Sequence, residues 1–193
     1  MPKFIAWNNS SPTARPPLVV IDIGDSESDQ SCGVWHDGAT VPNSCQFYRA
    51  IELATAQLNA ALALDARPLL VIEAPLSRAH TARGNPTPRG DFENARRWYV
   101  QSGAMVTLAA IRLLEVVSAK LTDDIWIAEA FLSNKDESTA HWRDAMEIHT
   151  QFWSIPPIIP GAAEICPLCG LIDGVPDVRV FAVNADEALL PPS

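Results

Sequence analysis

Apolar residues along this chain occur in two kinds of run, and the two predict different elements. Leu18 to Ile23, Leu69 to Ile72 and Ile125 to Ala128 are short, rich in branched aliphatics and nearly unbroken by polar residues. Such runs read as strands covered on both faces, the pattern of a largely parallel sheet. Between them the apolar positions recur at helical spacing. Ile51, Ala54, Leu58, Ala61 and Leu62 predict a helix over residues 46–64 with no internal glycine or proline. Met105, Leu108, Ala109, Leu113, Val116 and Val117 predict the buried face of a second, long helix, with Gly103 allowing close packing or a bend. A third helical segment spans residues 137–153, ended by the proline-rich stretch 155–160. Its buried face reads in two ways, either Trp142, Ala145, Met146, His149 and Trp153 or His141, Ala145, Ile148 and Phe152.

The remaining segments complete the frame. Residues 1–17, with Pro12, Pro16 and Pro17, read as an irregular lead-in. Cys32 to Trp35 follows Gly24 and predicts a strand returning beside the first as a hairpin. Ser77 to Gly90 carries two glycines, two prolines and three arginines, which predicts a long functional or mobile loop. Val178 to Val183 predicts a last strand at an edge. The order of hairpin, helix, strand, helix, strand, helix is that of an α/β sheet with helices on its faces. At 193 residues, this predicts one domain over 18–193 after the lead-in.

Charge and cysteine content narrow the function classes. No basic start leads into an apolar stretch, and no run has the ~20 consecutive apolar residues of a membrane span. Cys32, Cys45, Cys166 and Cys169 are too few and too uneven for a disulfide scaffold, which points to free thiols and a cytoplasmic setting. A net charge of −9 argues against nucleic-acid capture by long-range attraction. The local picture differs, because Arg78, Arg83, Arg89, Arg96 and Arg97 crowd one stretch and offer either an anion site or partners for Asp91 and Glu93.

Asp22, Glu73 and Glu129 each sit within or at the carboxyl end of an otherwise apolar run. An ionised carboxylate out of water is costly unless paired, and three that converge repel one another unless a cation intervenes. Open α/β sheets bind ligands beyond the carboxyl ends of their strands. A hard divalent ion, Mg²⁺ or Mn²⁺, suits oxygen ligands of this kind. The alternative for each residue is a strand-end acid facing solvent or an arginine.

Five patterns occur in a fixed order: VVIDIGDSESDQSCGVW, VIEAPLS, PRGDFENARRWY, WIAEAFLS and HWRDAM. In these the chain resembles a bacterial and archaeal domain-of-unknown-function family predicted to be nucleases with a ribonuclease H-like fold. The resemblance runs from residue 19 to about 150. It implies a ribonuclease H-like mixed sheet with helices on both faces, and metal-dependent hydrolysis of phosphate esters. It further implies Asp22, Glu73 and Asp144 as metal ligands, Glu129 as a further catalytic acid, and Ser77, Arg89 and Asp91 in contact with substrate. Two ions ~4 Å apart would activate water and stabilise the leaving oxygen. The implied partner is nucleic acid or a phosphorylated small molecule, without a membrane, and the oligomeric state stays open with a homodimer as one option. The chain departs from the pattern in carrying Glu73 where many relatives have Asp, and in residues 155–193, an extension outside it.

Three other constellations compete. Gly24-Asp25-Ser26 after a strand is similar to the opening block of SGNH-type esterases, with Ser26 as nucleophile, although the closing Asp-x-x-His is missing. Cys166-Pro167-Leu168-Cys169 is half of a zinc site at most, and reads better as a proline turn with small thiols. His80 in the arginine loop is the histidine best placed by sequence for substrate contact. A non-catalytic nucleotide- or nucleic-acid-binding module would keep the fold without the chemistry.

Overall fold

The computed structural model describes residues 2–8, 14–24, 29–39, 44–94, 97–133, 140–159, 161 and 164–182. The three unbroken apolar runs form its central strands, β2 (Leu18–Ile23), β5 (Leu69–Glu73) and β8 (Ile125–Ser133). They pair in parallel, with Leu18 beside Leu69 and Leu69 beside Trp126. β3 (Cys32–His36) returns antiparallel against β2, and β4 (Ser44–Cys45) continues the meander to one edge. Among the described residues the result is a mixed α/β sheet of eight strands with three α-helices.

Both ends of the chain add to the far side of this sheet. Phe4–Ala6 forms a parallel strand, β1, against the first half of β8, and β10 (Ile172–Asp173) pairs with β1 in turn. β11 (Val178–Ala182) runs parallel to the second half of β8. The segment expected to be an irregular lead-in therefore buries Phe4, Ala6 and Trp7, and the expected extension is woven into the main sheet. A three-residue strand is too short to carry a periodic signal, and its pairing partner lies over a hundred positions away. The expected loop after residue 77 is likewise partly ordered. β6 (Ser77–His80) and β7 (Pro86–Thr87) form a hairpin whose outer partner is β9 (Glu164–Pro167), making a separate three-stranded sheet.

Helices cover both faces. α1 (Phe47–Leu62) and α2 (Gln101–Lys120) lie on the face that carries Val19, Ile21, Leu70, Ile72 and Ile127. α3 (His141–Gln151) covers the face that carries Leu18, Val20, Val71 and Ala128. In α1 the buried positions Phe47, Ala50, Ile51, Ala54 and Leu58 follow the expected stripe. In α2 the expected Leu113 and Val117 are buried, but the face is turned from the rest of the expected stripe: Met105 and Leu108 are exposed, while Thr107, Ala110 and Leu114 face the core. Helix α2 is apolar nearly all round, so periodicity leaves its orientation open, and the small Ala110 and Ser118 select the side that approaches the sheet. By length and composition α2 is also apolar enough to cross a membrane, yet Leu113, Leu114 and Val117 are fully buried within the domain.

Just beyond the carboxyl end of β5 and beside the middle of β8, the chain is held by one buried guanidinium. Arg89 is fully buried and uses all five of its N–H groups. Two donate to the two carboxylate oxygens of Glu129, each at 2.5 Å. Two more reach Glu93 at 2.6 and 2.8 Å, and the last reaches Ser77 Oγ at 2.8 Å. The backbone N–H of Leu76 also donates to Glu129, at 2.9 Å. Burial pushes the Glu129 carboxyl up, with the Arg89 guanidinium opposing that push. Arg89 itself stays charged, its hold on the proton strengthened by Glu129 and Glu93.

Removing the cation leaves two buried carboxylates facing each other. Arg89→Met should lower the unfolding free energy by about 3–5 kcal/mol in urea titrations at neutral pH. Without the guanidinium, the folded-state pKa of Glu129 rises further above its unfolded value, so the folded form takes up a proton first as pH falls. The loss relative to wild type should therefore shrink from pH 7 towards pH 5, and a loss independent of pH would point to packing alone.

Candidate functional site

Strand parity sorts the predicted carboxylates before any contact is considered. Asp22 pairs in register with Glu73, so the two project from the same face of the sheet, the face that also carries Leu18, Val20, Leu69 and Val71. Glu129 pairs with Ile72 and projects from the opposite face, into the Arg89 network. The structure therefore brings Glu129 to the α1–α2 side and leaves Asp22 and Glu73 on the α3 side. Glu73 is half-buried at the end of β5, next in the sheet to Asp22.

Helix α3 supplies the rest of the site. Of the two faces open to it by sequence, the one with Ala145, Ile148 and Phe152 is buried, and Asp144 is buried with it. Asp144 comes from the first turn of the helix, where a carboxylate is favoured by the exposed N–H groups. One turn earlier, His141 Nδ1 lies 2.7 Å from Asp22 Oδ2. Asp22, His141 and Asp144 each present one ligand-capable atom within 4.8 Å of the others. Asp22 is fully buried and Asp144 almost so. His141 keeps about a quarter of its side chain exposed, 24%, and forms the open side of the group.

Two glycines make this approach possible. Gly33 faces Asp22 across the β2–β3 pair. A Cβ placed on it would fall 2.1 Å from the carbonyl oxygen of His141 and 2.4 Å from the amide nitrogen of Trp142. A Cβ on Gly24 would fall 2.3 Å from the His141 ring. Both positions must lack a side chain for the start of α3 to lie on the hairpin at this distance. Trp35, two residues beyond Gly33 on the same face, stacks on Trp142 with ring centroids 6.3 Å apart and helps hold the helix start.

His141 is the member of the group that sequence reasoning did not put forward as a ligand. By sequence it stands on an alternative core stripe and within the HWRDAM element, and nothing local links it to Asp22, 119 residues earlier. The HWRDAM segment held the signal, since His141 and Asp144 are one helical turn apart and project to one side.

The residues expected at the substrate divide. Ser77 and Arg89 are fully buried and bonded to each other, so the guanidinium is committed to internal partners. Asp91 is exposed and lines a cavity of about 830 Å³ together with His80, Thr87, Gly90, Phe92 and Ile159. Ser26 lies outside the described residues. Cys166 sits on β9 against Arg78, whose Nε is 3.3 Å from Sγ, and Cys169 follows in the turn; among the described residues no third ligand joins them.

Gly33→Ala should disturb the site without touching its side chains. The added methyl meets backbone, which cannot rotate away, so a loss of about 1–3 kcal/mol is expected. The Trp35–Trp142 stack should loosen with it, read as a change in near-ultraviolet circular dichroism. An unchanged spectrum and stability would mean that α3 does not rest on Gly33.

Comparisons with family models, with curated proteins and with solved structures give no match to this chain.

Proposed function

We propose that this protein is a divalent-metal-dependent hydrolase of phosphate esters, a nuclease or phosphodiesterase of ribonuclease H-like fold, acting at Asp22, His141 and Asp144. The observation that carries the reading is the convergence of two buried carboxylates and an imidazole at the carboxyl end of β2. Two carboxylates this close and this dry are mutually unfavourable in their ionised forms unless a proton or cation is shared between them. The donor set of two oxygens and one nitrogen suits Mn²⁺, with Mg²⁺ less favoured by the nitrogen. Strand order supports the fold: β4-β3-β2-β5-β8, with only β3 reversed, is the order of a ribonuclease H-like core.

A bound ion would lower the pKa of a water molecule and polarise a phosphoryl oxygen. The chain's own residues have separable parts in this. Asp22 and Asp144 hold the ion from a strand and a helix, two rigid elements fixed by the packing of Ala145 and Ile148. The hydrogen bond between His141 Nδ1 and Asp22 fixes the ring, and with Nδ1 as the donor of a neutral imidazole Nε2 would keep a lone pair. Glu73, beside Asp22 on the same face, is the nearest further carboxylate in the sheet. Glu129 is not included, because it projects from the other face.

One observation favours a second reading. The hydrogen-bonded Asp22–His141 pair has the form of an orienting acid and a general base, and the His141 ring lies against Gly24, two residues before Ser26. That arrangement fits a hydroxyl nucleophile without metal, the SGNH-like alternative.

Titration with Mn²⁺ by calorimetry, followed by assay on a bis-aryl phosphodiester, separates these readings and the non-catalytic one. Wild type should bind the ion, and Asp22→Asn and Asp144→Asn should weaken binding by more than the roughly 10–100-fold typical of outer-shell changes. Glu73→Gln should have a smaller effect. No uptake of Mn²⁺ or Mg²⁺ would sink the proposal, and labelling of Ser26 by a serine-reactive phosphonate would then support the esterase. Binding without turnover across phosphodiester substrates would leave a metal-holding binding module.

A further inference from the structure

Cys32 and Cys45 stand thirteen positions apart and face each other directly across the antiparallel β3–β4 pair. Facing residues in such a pair have Cα atoms ~4.5–5.5 Å apart, inside the range a disulfide spans. Both are free thiols, and their surroundings differ. Cys32 is fully buried, with its Sγ 3.7 Å from Ser31 Oγ. Cys45 is half-buried, at the step from β4 into α1; burial pushes its thiol up, and the Arg49 guanidinium opposes that push. The other two cysteines belong to the three-stranded sheet and the turn after it, so the fold gives Cys45 a single facing thiol.

We infer that Cys32 and Cys45 form a reversible disulfide by exchange with a small-molecule disulfide, and that this bond fixes the corner where β3, β4 and α1 meet. The more accessible Cys45, as thiolate, attacks one sulfur of a disulfide such as oxidised glutathione, and the first glutathione leaves as a thiolate that takes up the proton. Cys32 then loses its proton and attacks Cys45 Sγ, which expels the second glutathione as a thiol. Two protein thiols are oxidised to one disulfide, and one glutathione disulfide is reduced to two thiols. Burial pushes the Cys32 thiol up to about 11, so it is slow towards reagents in solution and reacts with a sulfur already placed opposite it.

The consequence falls on the hairpin that carries the candidate site. Cys32 pairs with Ile23 on its other side, and the next residue, Gly33, faces Asp22. Tying β4 to β3 makes the outer strand covalent with the strand on which α3 rests. The inference does not depend on metal binding or hydrolysis.

Incubating the folded full-length protein with oxidised glutathione tests it. The intact mass should fall by two hydrogens without a glutathione adduct, and a non-reducing peptide map should join Cys32 to Cys45. The urea midpoint of the oxidised form should rise and return on reduction, because the bridge restricts the unfolded chain. In Cys45→Ser, Cys32 should stay a thiol. A lasting glutathione adduct on Cys45, a bridge to Cys166 or Cys169, or no reaction would overturn the pairing. A Cys32–Cys45 bridge with an unchanged midpoint would overturn its structural effect. The wild-type map decides the pairing even if the variant fails to fold.

Discussion

The Arg89 guanidinium is the contact on which the upper end of this domain depends. It is the largest fully buried side chain, and its five N–H groups join β6, the short helical turn at Asp91–Glu93, and the middle of β8. A cation in an apolar interior is tolerated only when its charge and every donor are answered, and one Arg between two carboxylates meets both conditions. The planar fork makes this geometry specific, since two bonds to Glu129 fix the segment that follows β7, where Arg89 lies, against β8. The three-stranded sheet is held to the main sheet at this point, and the cavity bearing His80 and Asp91 forms along its outer side.

The same network accounts for the division of labour among the acids. Strand-end carboxylates look alike in sequence, but the pleat sends Glu129 to one face and Asp22 and Glu73 to the other. On the α1–α2 face an arginine was available, and the acid became half of an internal ion pair. On the α3 face, Asp22 is hydrogen-bonded to an imidazole, which is a weaker counter-charge and can also ligate a metal. Burial alone would make both sets of acids unfavourable, and the two faces give them different partners.

The approach of α3 to the β2–β3 hairpin is the second constraint. Helices ordinarily stand off a sheet by the depth of their side chains, and here the first turn of α3 lies where Gly24 and Gly33 leave no side chain at all. Gly33 lies opposite Asp22 in the ladder, so the gap opens beside the acid to which His141 is bonded. Ala145 and Ile148 pack one turn further along, and the Trp35–Trp142 stack closes the side. Site and packing are one arrangement, in which the core residues of α3 determine where His141 and Asp144 come to lie.

The hydrophobic pattern by itself determined the central strands, the three helical segments, and the mixed α/β class. Each of these rests on local period and on burial of whole runs. It also marked Asp22, Glu73 and Glu129 as acids in apolar surroundings, since a charge inside such a run is visible without any structure, whereas Asp144 entered only through the resemblance carried by HWRDAM. Tertiary structure decided the rest. Which face each acid takes depends on strand pairing, and which side of α2 is buried depends on the neighbours of a helix that is apolar all round. The partnership of His141 with Asp22 depends on a contact between residues 119 positions apart, as does the strand at Phe4–Ala6 on a partner more than a hundred positions on. Local sequence fixes what a segment prefers, whereas the identity of its neighbour is a property of the whole chain's packing, and the site is made of neighbours.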